Sequence, residues 1–289
     1  MWHQYRAGNE EGRRRTPASG LDISIPNVAR IYDFLLGGKD NFAADREAAW
    51  KILKELPCAA LACRQNREFL TRVVRVLADS GVRQFLDLGS GLPAAQDNVH
   101  EVAQAAAPGS RVVYVDYDNV VVSHARALLE SGPRRVGVVE ADLRDPGKIL
   151  EVAGGLIDFG EPVAVLMFAV LHFLSDADQP REVVRSLTEA LVPGSALALS
   201  HVTGDRIAPD ASQAAQQVYQ GASAPIVPRS RQDITGFFDG LDLVEPGVTD
   251  INLWPGKSPW PTAPLILYGG LALKTVPARL SGQRFPDDG

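Results

Sequence analysis

From residue 83 to residue 202, short β-rich runs alternate with helical stretches, and this constrains the fold more than any other feature of the chain. The strand candidates are 83–89, 111–117, 135–142, 162–169 and 195–202, with helical stretches at 97–107, 120–130, DPGKILEVA and 180–191 between them. Two strands can lie side by side in parallel only if the chain crosses back over the sheet, and a helix is the usual crossover. The repeat therefore predicts an α/β fold, a parallel sheet with helices on both faces. The apolar run VAVLMFAVLHFL at 163–174 is too short to cross a membrane and reads as a parallel strand buried on both sides. After residue 202 the pattern changes. SRQDITGFF (230–238) starts like a helix with a capping box, Ser230 to Asp233. LDLVEPGV and APLILYGGLALK then follow with no helix between them, which predicts an antiparallel hairpin at one edge. The expected sheet has seven strands, mostly parallel, the last reversed.

The 289 residues suffice for one large domain or a domain with a cap, and 45% hydrophobic residues supply a full core. Residues 1–23 read as a disordered polar arm, 24–80 as a helical cap or lid, and 81–276 as the main domain. That domain carries a lid insertion at about 205–229, and 277–289 is a flexible tail. In the cap, a helix from Asn27 or Pro26 breaks at Gly37-Gly38 and resumes at FAADREAAW. Leu61 to Ser80 forms a further helix with apolar Phe69, Leu70, Val73, Val74 and Leu77 on one face. A net charge of −6 argues against a nucleic-acid-binding face, and GRRR at 12–15 is the only basic cluster. Cys58 and Cys63 lack the second Cys or His pair that zinc needs, so they read as ordinary thiols of a cytoplasmic protein, with no metal and no membrane expected.

The stretch FLDLGSGLP (85–93) is a strand running into a glycine turn. Gly89 and Gly91 allow close backbone approach to a nucleotide, with Ser90 between them. The dinucleotide fingerprint has a third glycine where this chain has Ala94. Pro93 also removes a backbone donor that a pyrophosphate would use. S-adenosylmethionine has no phosphate and suits this turn better. Acids end three successive strands, where open α/β sheets bind ligands. Asp87 suits the cationic methionyl end, Asp116 the ribose hydroxyls, and Asp142 the adenine amino group beside the Leu143 backbone. Tyr117, next to Asp116, and Ala169, at the end of the fourth strand, complete the expected cofactor set.

The segments FLDLGSG, VDYD, EADL and AVLHFLSD resemble, in order, the class I S-adenosylmethionine-dependent methyltransferases. More closely, PNVARIYDFLLGGKDNFAADREAA, FLDLGSGLP…NVHEVA, RVVYVDYD, AVLHFLSD and RSRQDITGFFDGLDLVEPGV are similar to the actinobacterial S-adenosyl methyltransferase family, long catalogued as a domain of unknown function. The likeness spans roughly 24–275, and the N-terminal stretch is its specific part. Ala94 departs from the threonine common after LP in the family. The resemblance implies a Rossmann-like fold and a bound methyl donor, S-adenosylmethionine, with S-adenosylhomocysteine as product. It implies no particular acceptor.

Candidates for acceptor chemistry follow from position. His172, after the fourth strand, is the expected general base if the acceptor must lose a proton. His100 would order the glycine loop, and His201 at the end of the fifth strand would face the same cleft. In the cap, Tyr32, Lys39, Asn41 and Phe42 would touch cofactor or substrate, and Tyr219 would do so from the insertion. Trp254 and Trp260 could form a substrate wall. His124, in mid-helix, reads as surface. The reading is a methyltransferase acting on a small molecule. The alternatives are a catalytically silent S-adenosylmethionine-binding sensor or partner protein and, more remotely, an NAD-dependent oxidoreductase. No NPPY-like sequence follows the fourth strand, which weakens amino-group methylation of bases.

Overall fold

The computed structural model describes residues 22–129, 135–254 and 267–276. The arm, the loop carrying Trp260 and the tail after 276 lie outside the described residues. Three helices come first: α1 (Val28–Leu36), α2 (Ala43–Glu55) and α3 (Ala59–Asp79). The alternating region follows as β1 (Gln84–Leu88), α4 (Val99–Ala106), β2 (Arg111–Asp116), α5 (Asn119–Leu129), β3 (Val136–Glu140), α6 (Pro146–Ala153), β4 (Val163–Phe168), α7 (Pro180–Glu189) and β5 (Ala196–Val202). The chain then runs through α8 (Pro209–Gln220), α9 (Arg231–Thr235), β6 (Asp242–Leu243), β7 (Thr249–Asp250) and β8 (Leu267–Leu273).

The first five strands are parallel, in the spatial order β3-β2-β1-β4-β5. Alternate residues point to opposite faces of each strand. Leu86, Val113, Val165, Met167 and Leu197 fill one core, while Phe85, Val112, Ala164, Leu166 and Ala198 fill the other. Burial on both faces explains the unbroken apolar runs. β8 pairs antiparallel with β5, and β6 and β7 both pair antiparallel with β8, giving eight strands. The single strand expected at LDLVEPGV is thus interrupted. Pro246 has no N–H to give a ladder, and Gly247 turns the chain with φ +77. The order reverses between β1 and β4. At such a switch point the strand ends open a crevice.

The cap has its own core. Ile31, Phe34 and Leu35 of α1 pack with Ala49 and Ile52 of α2. Tyr219 of α8 joins them, so the 205–229 segment and the N-terminal helices share one apolar cluster. Asn27 caps α1, its side chain accepting from the N–H groups of Ala29 and Arg30 (2.9 and 3.2 Å). The wholly buried Asp45 carboxylate pairs with Arg30 Nε at 2.8 Å and accepts the N–H groups of Asn27 and Phe42 at 2.8 and 2.7 Å. One carboxylate therefore fixes the starts of both α1 and α2.

Removing one partner of a buried ion pair leaves the other charge uncompensated. Arg30→Ala is expected to lower stability by about 3–5 kcal/mol, measured by denaturant unfolding followed by circular dichroism. A loss below about 1 kcal/mol, the range of an exposed pair, would show that the pair does not hold the cap.

Candidate active site

The crevice at the C-terminal ends of β1, β2 and β4 is a cleft of about 1170 Å³, roofed by α1 and by the turn after it. The glycine turn forms its floor. Gly89 has φ +66, and a Cβ there would lie 2.2 Å from Val170 Cγ2, so no other residue fits. Gly91 has φ +65, but a Cβ there would meet nothing within 4 Å: its bare face looks into open space. The turn is stitched to β2. The N–H groups of Gly89 and Ser90 donate to the Val115 carbonyl at 2.8 and 3.2 Å, and Gly91 N–H donates to Asp116 Oδ2 at 3.0 Å. At Ala94, Asn98 supplies what the missing hydroxyl does not: its amide bonds both the N–H and the carbonyl of Ala94, at 3.0 and 2.9 Å.

All nine expected cofactor residues line this cleft. Asp87 is buried, and no donor among the described residues bonds its carboxylate. Burial pushes it up to about 7, against the pull of Arg67, with the Asp116 charge adding to the rise. Asp116 is also raised by burial, and its Oδ1 accepts the Asp118 N–H at 3.0 Å. Asp142 is more exposed. Arg144 grips it through Nε–Oδ1 (2.9 Å) and Nη2–Oδ2 (2.6 Å) and holds its carboxyl below the usual range. An adenine amino group would share Asp142 with that arginine.

The expected cap residues divide. Tyr32 and Lys39 line the cleft. Asn41 and Phe42 do not, and the structure corrects that expectation. Asn41 Nδ2 donates to Asp33 Oδ2 (2.8 Å) and to the Gly38 carbonyl (3.1 Å), while Phe42 sits beneath the Arg30 guanidinium. These residues build the turn that carries Lys39. Tyr219 is likewise turned into the cap core, away from the cleft. Trp254 is buried edge-on against Phe69, 5.5 Å between ring centroids, and forms no cleft wall.

Two of the histidines, His172 and His201, also depart from expectation. His172 is buried outside the cleft, and its Nδ1 accepts the Val202 N–H at 3.3 Å. The neutral ring then carries its proton on Nε2 and has no free lone pair, so it is not poised as a base. Burial holds it well below the usual histidine range, with His201 and Arg229 adding to the fall. His201 is completely buried. Its Nδ1 bonds the Val202 carbonyl (2.7 Å) and its Nε2 meets Arg229 (3.1 Å), and burial pushes it down to about 4. His100 bonds the Tyr114 hydroxyl of β2 at 2.8 Å and so orders the helix behind the turn. His124 is half-exposed, 3.8 Å from Asp40 of the cap turn.

Asn66 and Arg67 of α3, Asp33 of α1, and Ser223 after α8 also line the cleft, and sequence reasoning missed them. Asn66 left a signal. It falls on the apolar stripe of α3 between Ala62, Phe69 and Leu70, where a polar residue needs a buried partner. That partner is Ser200, whose Oγ donates to Asn66 Oδ1 at 2.5 Å. Ser223 had no such signal, because only the tertiary fold brings it to the roof.

Comparison with known proteins decides the family. Residues 14–275 match the model of the S-adenosyl methyltransferase family. The chain belongs to that family. It is an S-adenosylmethionine-dependent methyltransferase. A crystal structure of a protein from Thermobifida fusca YX, assigned as a methyltransferase, is 40% identical with a TM-score of 0.83, covering 90% of this chain and 99% of that one. A DUF574 family protein from Streptomyces avermitilis MA-4680 is 38% identical with a TM-score of 0.82, covering 88% of this chain and all of that one. An O-methyltransferase family protein from Burkholderia thailandensis, 16% identical with a TM-score of 0.50 over 84% of this chain and 64% of that one, shares the fold. No curated protein matches the chain. Among the described residues no helix is long and apolar enough to cross a membrane, and no cluster of His, Cys, Asp and Glu could hold a metal.

The site residues fit the family's cofactor on one physical ground: an unpaired buried carboxylate calls for a cation, and the methionyl end of S-adenosylmethionine supplies one. The sign of the pH dependence follows. Above pH 7 Asp87 is ionised and ready to pair, and below it binding must first expel a proton. Cofactor affinity in the wild type should therefore rise about tenfold from pH 6 to pH 8, and Asp87→Asn should flatten that rise. Because the folded-state value is raised, ionised Asp87 opposes folding at pH 8, and the penalty fades as pH falls through 7. Ligand-free Asp87→Asn should thus melt higher than wild type at pH 8 and by a smaller margin at pH 5. Equal pH slopes by calorimetry would refute this role.

Proposed function

We propose that this methyltransferase acts on a small-molecule acceptor in the cytoplasm, with the cap helices and the 205–229 segment as its lid. The observation that carries this reading is the roof over the cleft. Asn27 Nδ2 donates to Asp118 Oδ2. Ser223 N–H donates to the Pro26 carbonyl at 2.9 Å, and its Oγ accepts the Val28 N–H at 3.1 Å. A cleft latched over in this way admits a small molecule far more readily than a folded macromolecule. Its volume of about 1170 Å³ exceeds the roughly 300–1,000 Å³ of an ordinary ligand pocket, which leaves room for cofactor and acceptor together.

In this proposal Asp87 pairs with the cationic methionyl end, and the backbone of Gly89, Ser90 and Gly91 lies along the cofactor. Asp116 takes the ribose hydroxyls, while Tyr117, Asp142 and Leu143 border the adenine. Ala169 marks where the methyl group is delivered. S-adenosylmethionine supplies a methyl carbon whose bond to cationic sulfur breaks, leaving both electrons on sulfur, as an acceptor lone pair attacks. What the protein adds is orientation and the exclusion of water. With the lone pairs of His172 and His201 engaged, neither ring serves as the base.

Calorimetric titration tests this assignment. S-adenosylmethionine and S-adenosylhomocysteine should bind at micromolar concentrations and NAD should not. Asp116→Ala should weaken the first two about tenfold or more, the worth of hydrogen bonds to a charged group. Binding of NAD alone, or an unchanged affinity in Asp116→Ala, would defeat the residue assignments.

A further inference from the structure

Behind the cleft lies a second, smaller cavity of about 90 Å³, lined by residues of α1, α2, α3 and α8 and by the end of β4. Val28, Tyr32, Ala169 and Phe173 line both spaces, so the two adjoin at the point where β4 ends. Ala169 is the wall between them. It holds φ +53, unusual for a residue with a side chain, and its N–H donates to Ser200 Oγ and to the Ser200 carbonyl at 2.9 and 3.1 Å.

The chamber has a definite chemistry. Leu35, Ile52 and Leu56 of the cap, with Ala62 and Ala215, give it apolar walls. No Asp, Glu, Lys or Arg lines it among the described residues. Its titratable groups all stay neutral at pH 7. Burial raises the Tyr32 and Tyr219 hydroxyls, pushes the Cys63 thiol up to about 12 and holds His172 well down. Two buried polar groups of the lining have no hydrogen-bond partner among the described residues, the Tyr219 hydroxyl and one nitrogen of His172. His172 is 3% exposed and lines the chamber, and its Nε2, which must carry the ring proton, has no partner among the described residues. The Tyr32 hydroxyl, by contrast, is already satisfied: it donates to the Cys63 carbonyl at 3.1 Å and accepts from Asn66 Nδ2 at 3.0 Å.

We propose that this chamber holds the apolar end of the methyl acceptor, an uncharged hydroxylated or carbonyl-bearing small molecule, with His172 Nε2–H donating to its oxygen. The proposal rests on the methyltransferase reading of the cleft. The volume of about 90 Å³ is below the roughly 150 Å³ of a cavity that takes up a whole benzene ring. The chamber therefore encloses most of a six-membered ring, and the remainder of the acceptor extends past Ala169 into the cleft. A charge on the part of the acceptor inside the chamber is disfavoured, because no charged side chain lines it to compensate.

The probe is 4-fluorophenol, followed by fluorine NMR with the full chain saturated by S-adenosylhomocysteine, whose own binding is measured in the same samples. The expected result is saturable millimolar binding of 4-fluorophenol and none of the anion 4-fluorobenzoate. Ala215→Phe, which fills the chamber without touching the cleft, should abolish phenol binding and leave S-adenosylhomocysteine affinity unchanged. Ser212→Phe, at a half-buried lining position, serves the same purpose if the first variant does not fold. His172→Phe should weaken the phenol about tenfold. Phenol binding that survives both filling variants, or equal binding of the benzoate, would overturn the proposal. Loss of S-adenosylhomocysteine binding with phenol binding intact would instead count against the cofactor cleft and leave the chamber standing.

Discussion

A short chain of buried hydrogen bonds joins the cap to the sheet, and both cavities depend on it. The Ala169 N–H donates to Ser200 Oγ, Ser200 Oγ donates to Asn66 Oδ1, Asn66 Nδ2 donates to the Tyr32 hydroxyl, and that hydroxyl donates to the Cys63 carbonyl. The chain thus ties the end of β4 to β5, to α3 and to α1 in turn. Its three inner members, the Ser200 hydroxyl, the Asn66 amide and the Tyr32 hydroxyl, each donate and accept, so none can be removed without leaving a buried neighbour unsatisfied, at about 1–3 kcal/mol. Ala169 shows what this supports. A left-handed alanine is itself unfavourable and persists only where its surroundings over-determine it. Two bonds from Ser200 do so, and the wall between the cleft and the chamber stays in place.

The sheet was legible because its physics is local. Strands buried on both faces must be apolar throughout, and a parallel neighbour demands a crossover, so 83–202 declares itself in sequence. The turn at Gly89 and Gly91 was legible for the same reason, since its backbone needs residues without a Cβ. The acids Asp87, Asp116 and Asp142 were placed by their position at strand ends. The limits are equally physical. LDLVEPGV reads as one strand by composition, yet only its Asp242 and Leu243 join the ladder with β8; the chain turns off at Pro246 and Gly247 and pairs again from Thr249.

The side-chain direction of a loop or helix residue is set by tertiary packing, which leaves little trace in one sequence. Asn41 and Phe42 look exposed and functional in GGKDNF, but Asp33 and Arg30 draw them inward. His201 stands at the end of a strand pointing toward a crevice, yet strand alternation turns it to the opposite face, where Phe237 and Arg229 receive it. His172 is close to the predicted place. What sequence could not show is the Val202 N–H that takes its lone pair and converts an expected base into a donor.

The two sides of Ala169 carry opposite electrostatics, and that contrast suits one kind of reaction. On the cleft side Asp87 is a buried carboxylate without a protein partner, a place for positive charge. On the chamber side two tyrosines, a cysteine and a histidine are all held neutral. When a neutral nucleophile attacks a cationic methyl donor, total charge is conserved and becomes spread over donor and acceptor in the transition state. A spread charge loses less hydration than a concentrated one on leaving water, so a dry boundary favours the transition state over the separated reactants. An anionic nucleophile would first have to shed its hydration on a side that has no charged side chain to compensate it. The same neutrality that shapes the chamber's selectivity therefore also favours the chemistry at its mouth.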